Sequence, residues 1–309
     1  MLASARARRL ARIVAAAAAL TIAIAACDDK AGGRSHNGAA PAMSAPASAA
    51  PSASAGDDAG VPADDGSPQP SASHSSSSPT PSKGPTTSPP PPGHAYAGRL
   101  PKFGRPPAPH RVNLPEGASA AYYARIPTDQ PVAFLTIDDG WIKRPEALEL
   151  LRESDVQVTL FLTINAIKDN PGYFKQLRDA GADIEAHTLT HPNLKGKSYD
   201  FQKHEICGSA DQLAQLYGKR PTLFRPPFGD KDATTLKVAH DCGLHAGFFW
   251  KETVDKGIVR YQEGHAIKPG DIILMHFRDR FVDDFIAALQ AISAAGLTPA
   301  LLVDYMPAT

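Results

Sequence analysis

No aromatic residue occurs before Tyr96, although the 309-residue chain contains 12 Phe, 8 Tyr and 2 Trp. A stretch with no aromatic side chain and few large aliphatic ones buries too little apolar surface to offset the entropy of ordering it. The first third is therefore excluded as a folded domain, and roughly 210 residues remain for one sizeable core. Net charge is missing too. The 32 Lys and Arg balance 32 Asp and Glu, which excludes a strongly basic nucleic-acid binder. Three cysteines are too few for a dense disulfide scaffold. No solenoid repeat period is visible.

What stands in the first third is an address and a spacer. Residues 1–12 carry Arg6, Arg8, Arg9 and Arg12 and no acid, and residues 13–26 are uncharged and apolar. A positive segment, a short apolar segment and small residues at the cut are the plan of a secretory signal. The apolar run is too short to span a bilayer comfortably. Its ending, Ile24-Ala25-Ala26-Cys27, resembles a bacterial lipobox, with Ile where Leu is commoner. The resemblance implies cleavage before Cys27 and a diacylglycerol on its sulfur, which would hold the protein on the outer face of the cell membrane. The alternative is an ordinary signal peptide beside an incidental cysteine. Loss of residues 1–26 removes four arginines from a balanced chain and leaves a net charge of −4, too mild to name a partner.

Residues 28–93 hold 13 of the 29 prolines and 14 serines, with Met43 and Val61 as the only larger apolar residues. Such a segment stays solvated, its proline runs stiffened toward polyproline II. The segment 27–93 is thus expected to be a disordered tether between Cys27 and the domain. With Cys27 acylated, Cys207 and Cys242 are left. They form a disulfide or remain two separately buried thiols.

Beyond residue 130 short apolar runs alternate with helical patterns. Strands are expected at 132–137, 156–163, 183–187, 222–225, 245–250, 271–276 and 298–303. Pro145 suits the first turn of a helix carrying Ala147, Leu148 and Leu151. Gly181, Gly218, Gly243 and Gly296 each follow a helical stretch, where a left-handed residue is wanted. Seven alternations imply an α/β fold with a parallel sheet. No phosphate-type glycine turn follows the first strand, so a closed or nearly closed barrel is favoured over an open sheet. Residues 94–130 are an extension packing on the barrel, with a strand or hairpin expected within 113–130, and 131–309 form the domain proper.

Asp138-Asp139-Gly140, His187, Arg225, Trp250 and His276 all fall at the C-terminal ends of these strands, the face where barrel enzymes build their sites. Each alone is bland: Asp-Asp-Gly as a turn, His187-x-x-x-His191 as a helix surface, Arg225-Pro-Pro-Phe-Gly as a loop. Together they carry chemistry. Two adjacent carboxylates can divide into a metal ligand and a free base. His187 and His191 lie four residues apart, one helical turn, with Pro192 behind. Two histidines and one carboxylate that leave room for water make a catalytic metal site, which acidifies water and polarises a carbonyl. Arg225 can hold the free carboxylate ionised, and His276 can serve as general acid. The remaining eight histidines have no such context.

The runs Thr136-Ile137-Asp138-Asp139-Gly140, His187-Thr188-Leu189-Thr190-His191, Arg225-Pro226-Pro227-Phe228-Gly229 and Leu274-Met275-His276 resemble, in order, the motifs of polysaccharide deacetylases, the NodB-homology domains of carbohydrate esterase family 4. The match covers about residues 131–305. It implies a distorted (β/α)7–8 barrel and one divalent metal ion, usually zinc, with cobalt, nickel or manganese as alternatives, held by Asp139, His187 and His191. It implies Asp138 as general base on the metal's water, Arg225 orienting Asp138, and His276 protonating the leaving amine. Leu274 would line the acetyl pocket, and the Phe228 backbone N–H would help hold the tetrahedral oxyanion. The reaction implied is hydrolysis of a non-peptide carbon–nitrogen bond, releasing acetate from an N-acetylated sugar.

Three departures accompany the match. Ile137 stands where Phe is common. Trp141 follows Asp-Asp-Gly where a small residue or Pro is usual, and it either stacks on a sugar or covers the barrel top. Trp250 is followed by Lys251-Glu252-Thr253-Val254-Asp255, with no Asp-Trp pair. Glu252 or Asp255 would have to replace the aspartate that tunes the acid histidine. A tethered lipoprotein points to N-acetylated amino sugars of the envelope, peptidoglycan or a related glycan. An O-acetyl esterase and a non-catalytic glycan-binding lipoprotein are the competing readings. No nucleic-acid or obligate protein partner is expected.

Overall fold

The computed structural model describes residues 95–307. The signal sequence, Cys27 and the tether to residue 93 lie outside the described residues. Residues 95–120 run over the domain before β1 (Ala121–Tyr123). Then come β2 (Val132–Asp139), α1 (Glu146–Ser154), β3 (Val158–Leu162), a single helical turn α2 (Ile164–Ile167), α3 (Pro171–Asp179), β4 (Ala182–Ala186) and α4 (Tyr199–Tyr217). Next are β5 (Leu223–Phe224), α5 (Ala233–Asp241), β6 (Ala246–Phe248), β7 (Glu252–Asp255), β8 (Ile258–Tyr261), β9 (Ile272–His276), α6 (Phe281–Ala294) and β10 (Thr298–Pro299). Pro145 does precede α1. The four glycines expected after helices all have positive φ, from 69° to 110°.

The sheet order is β1-β6-β5-β4-β3-β2-β9-β7-β8. Every neighbouring pair is parallel except the β7–β8 hairpin. β10 pairs with the start of β2 through Thr298–Val132 and Pro299–Ala133. The strand order ends on β1 and β8, so the barrel is a distorted one with an open seam. The expected strand before the barrel is β1. It pairs with β6 rather than forming a hairpin of its own.

Side chains alternate across the sheet, and two apolar clusters result. Leu135, Ile137, Leu160, Ile184, Ile273 and Met275 face the helices. Val132, Phe134, Phe161, Leu223, Phe248 and Ile272 fill the opposite, inner face with Tyr305. Polar residues enter the inner face toward the C-terminal ends of the strands, where Thr136, Asp138 and Arg225 are all buried. Phe174, Phe277, Phe281 and Phe285 stack in series on the helical side, with centroid separations of 5.3–6.0 Å. This series anchors the loop after β9 and with it the position of His276.

The extension is pinned along its length. Val112 N–H donates to the Tyr305 carbonyl at 2.9 Å, and the His110 N–H donates to Gln130 Oε1 at 2.9 Å. A Cys207–Cys242 disulfide, Cα atoms 5.1 Å apart, joins α4 to the end of α5. Among the described residues no helix is long and apolar enough to cross a membrane.

Candidate active site

Residues 138 and 276 are Cα partners across β2 and β9, as are 136 and 274. In a parallel pair, partners in register point to the same face. Asp138 and His276 therefore project together into one cleft of about 480 Å³, which Asp139, His187, His191, Phe228, Trp250 and Leu274 also line. Each of these was picked out from the sequence. Trp141 is not in that lining. It stands outside on the surface, 52% exposed.

Backbone conformation marks the same place. Six described non-glycine residues have positive φ, and four of them are Asp139 (76°), Thr188 (70°), His191 (63°) and Phe228 (62°). Such positions cost roughly 1–3 kcal/mol each and persist where surrounding structure over-determines them. After Asp139 the chain escapes through Gly140 at φ 107°, where a Cβ would lie 2.7 Å from Ile167 Cγ2.

The segment from His187 to His191 is a loop and not the expected helical turn. Pro192 disfavours helix at the residue before it. The amides that a helix would have used are taken by Glu205 of α4. One of its carboxylate oxygens accepts from the Leu189 N–H at 3.0 Å and the Thr190 N–H at 2.9 Å, and the other accepts the Thr190 hydroxyl at 2.7 Å. Thr188 Oγ1 accepts the His191 N–H at 3.0 Å. Thr163 Oγ1 donates to the His187 carbonyl at 2.8 Å. Sequence reasoning missed Glu205, because nothing in its spacing signals a contact made across 15 residues.

His187 Nδ1 lies 2.7 Å from the Arg225 carbonyl. A carbonyl only accepts, so Nδ1 carries the proton and Nε2 presents a lone pair to the cleft. His187 Nε2 is 3.5 Å and His191 Nε2 3.3 Å from Asp139 Oδ1. One ligand atom from each of the three residues falls within 4.8 Å of the others. Asp139 Oδ1 is buried with no hydrogen-bond partner. A buried anionic oxygen without a donor, facing two imidazole nitrogens, is the donor set a divalent cation satisfies. The residues present fit such an ion.

Arg225 is fully buried and belongs to Asp138. One guanidinium nitrogen, Nη1, donates to Asp138 Oδ1 and to Thr136 Oγ1, both at 2.7 Å. Nη2 donates to the Phe249 carbonyl at 3.1 Å. The guanidinium lies 4.4 Å from the Phe161 ring centroid and 5.7 Å from that of Trp250. Thr136 passes its own proton to the Ile273 carbonyl at 2.7 Å. Asp138 is thus oriented by a cation that neighbours on β2, on β3 and just after β6 hold still.

Burial alone would raise the Asp139 carboxyl, but the adjoining His187 and His191 imidazoles hold it well below the usual carboxylate range. Burial would lower His187, and the charge of Asp138 and the contact with Asp139 raise it instead. Burial lowers His276; Asp138 and Asp139 oppose this, and Arg278 adds to it.

The two acids proposed to replace the missing aspartate part company here. Glu252 Cα pairs with Ile273, three residues below His276 on β9. Its buried carboxyl sits by Asp271 and is pushed up to about 8 by burial and by that neighbour. Arg125 forms an ion pair with Asp271. Glu252 therefore does not reach the acid histidine. Asp255 does line the cleft, ion-paired at 3.2 Å with Arg278. Arg278 was also missed from the sequence. Its place follows from the unforeseen β7–β8 hairpin that brings Asp255 beside it.

A family described as polysaccharide deacetylase matches residues 125–247. A peptidoglycan-N-acetylmuramic acid deacetylase of Bacillus subtilis is 31% identical over 179 residues, covering 53% of this chain and 68% of that protein. The chain belongs to the polysaccharide deacetylase family. An uncharacterized protein of Streptomyces coelicolor is 43% identical over 150 residues, covering 48% of this chain and 60% of that protein. The chain thus spans about three fifths to two thirds of the length of these relatives. Among solved structures, a CE4 family pseudoenzyme from Bacillus anthracis superposes with a TM-score of 0.54 at 22% identity, over 61% of this chain and 70% of the other. The polysaccharide deacetylase fold is therefore the one adopted here, an α/β fold with a curled parallel sheet.

Proposed function

We propose that this polysaccharide deacetylase is a metal-dependent hydrolase. It removes N-acetyl groups from amino sugars of the cell envelope, peptidoglycan or a related glycan. The observation that carries the reading is the pairing of an orphaned, buried Asp139 oxygen with two histidines, beside a carboxylate and a histidine in strand register. Several family relatives are peptidoglycan deacetylases by name, which supports the substrate class. Pseudoenzymes also occur on this fold. Here every position the chemistry needs holds a competent side chain, which favours a working enzyme.

Asp139, His187 and His191 would hold the divalent metal, zinc in the first instance, which when bound acidifies water and polarises the acetyl carbonyl. Asp138 accepts the proton that water gives up as its oxygen bonds to the carbonyl carbon. Arg225 fixes Asp138 in place through a charge-assisted hydrogen bond at 2.7 Å. The Phe228 N–H faces the developing oxyanion. His276 gives a proton to the sugar nitrogen as the carbon–nitrogen bond breaks, yielding acetate and a free amine. Leu274 closes the apolar side where the acetyl methyl sits, and Trp250 flanks it. Trp141, exposed outside the cleft lining, either stacks on a sugar or covers the barrel top.

Cys27 is read as the lipidated residue that anchors the chain to the outer face of the membrane, with residues 27–93 as the spacer that carries the domain into the wall. The test is acetate release from N-acetylglucosamine oligomers and from peptidoglycan by the zinc-loaded protein. Release that disappears on chelation and in Asp138→Asn supports the mechanism. Bound metal with no release from any amide substrate refutes it, and release only from acetylxylan turns the reading to an ester.

A further inference from the structure

Arg225 is wholly buried and outside the lining, and among the described residues the cleft has one arginine of its own. Arg278 follows His276 by two residues, and Phe277 between them is buried on the helical side of the sheet. His276 and Arg278 both line the cleft. The Arg278 side chain is 51% exposed. Among the described residues it makes one polar contact, from Nη1 to Asp255 Oδ1 at 3.2 Å. A guanidinium offers five donors in a planar fork, so most of its capacity faces the cleft and solvent unspent. A partly exposed ion pair of this kind is weak, and Asp255 is a partner that a better-placed anion displaces.

The other charged groups of the cleft are already committed. Asp138 has Arg225, and Asp139 faces the two histidines. Arg278 and its partner Asp255 are the charges left with no task in the hydrolysis, and of the two only Arg278 is a cation. Its place is on the side of His276, where the sugar nitrogen leaves. A group there would meet substituents on the ring carbons flanking the acetamido carbon.

We propose that Arg278 is a specificity residue that reads a carboxylate on the substrate. The preferred substrate is then an acetamido sugar carrying an ether-linked acid next to the acetamido group, as a muramic acid residue does, and not a neutral acetamido sugar. The inference rests on the deacetylase reading above and sharpens its substrate. A fork-shaped guanidinium suits a carboxylate better than an ammonium does, so Arg278→Lys should keep only part of the preference.

The experiment compares peptide-free peptidoglycan strands bearing free carboxylates with the same strands methyl-esterified. Acetate release gives kcat and KM, and mass spectrometry locates the freed amine. For the zinc-loaded wild-type protein, kcat/KM should be roughly tenfold or more higher on the acid strands, the scale of one charge-assisted contact. The difference should reside in KM, with the amine on the acid-bearing sugar. In Arg278→Gln the ratio between the two substrates should fall to near one, and in Arg278→Lys it should be intermediate. A wild-type ratio near one, or a ratio retained in Arg278→Gln, overturns the role of Arg278 while leaving the deacetylase reading intact. Release from neither strand by the wild-type protein removes the deacetylase reading and this inference with it.

Discussion

Replacing Arg225 by Met is the sharpest perturbation the structure offers, because it separates two accounts of why Arg225 is buried. Arg225 is wholly inaccessible and Asp138 nearly so, 2.7 Å apart. Met fills much of the same volume and keeps the contact with Phe161. It leaves Asp138, Thr136 and the Phe249 carbonyl without their donor. Breaking a buried ion pair by removing one partner costs about 3–5 kcal/mol. For a domain of this size each kcal/mol moves the melting temperature by about 2–4 °C, so Arg225→Met should melt roughly 6–20 °C lower. If the cost is a stranded charge, removing the second charge returns part of it. Arg225→Met with Asp138→Asn should then be more stable than Arg225→Met alone, by about 1–3 kcal/mol. Urea unfolding of the metal-free proteins, followed by circular dichroism, measures both numbers. A deficit under 1 kcal/mol in Arg225→Met, or a double variant no more stable than that single variant, refutes the charge argument and leaves shape as the reason for Arg225.

Glu205→Gln should weaken divalent-metal binding about 10–100-fold, the usual effect of losing a residue that orients ligands, with helicity unchanged; competition with a chromogenic chelator reads this, and unaltered affinity would show that the histidine loop holds its own shape. Glu252 has a folded pKa of about 8, against an ordinary 4.5. The unfolded chain therefore releases this proton first, and the site loses stability as pH rises between those values. Glu252→Gln, which keeps the neutral form, should raise the melting temperature, by more at pH 9 than at pH 5; an increment independent of pH would contradict the burial argument. Reducing the Cys207–Cys242 disulfide, which spans 35 residues, should cost about 4 kcal/mol by loop entropy, measured as the shift of the urea midpoint between oxidised protein and a Cys207→Ser, Cys242→Ser variant.

The strands and the site at their C-terminal ends were legible because both rest on local rules. Alternating apolar residues bounded by turn formers pointed to all seven strands, though the structure lengthens the first by two residues, shifts 183–187 by one and trims the others. The run 245–250 narrows to Ala246–Phe248, and 222–225 to Leu223–Phe224, because the chain turns away at Arg225-Pro226. Asp138, Asp139, His187, Arg225 and His276 could be found since each strand ends where its polar residue begins. The hairpin β7–β8 was not found. Its two-residue turn is Lys256-Gly257, with φ of 57° and 73°. This conformation is normally announced by Asn-Gly or Asp-Gly, and a lysine there gives no warning. Glu205 and Arg278 escaped for another reason. Their partners are remote in sequence, and only packing of α4 on the His187 loop, or of the hairpin on β9, creates the contact.

The register of β2 against β9 has a consequence for how such a protein can change over time. Catalytic chemistry here is digital. Sliding β9 by one residue exchanges His276 for a buried hydrophobic neighbour and sends the imidazole to the wrong face, so no intermediate geometry exists for gradual change to explore. The β7–β8 hairpin is the opposite. It is stitched to β9 by two residue pairs, Glu252–Ile273 and Thr253–Leu274, and its far strand is an edge. Its length and charge can drift without disturbing Asp138 or His276. If Arg278 and Asp255 read the glycan as proposed, a lineage carrying this fold could change its substrate by editing one loop while the Asp138–His276 register stays locked in the sheet.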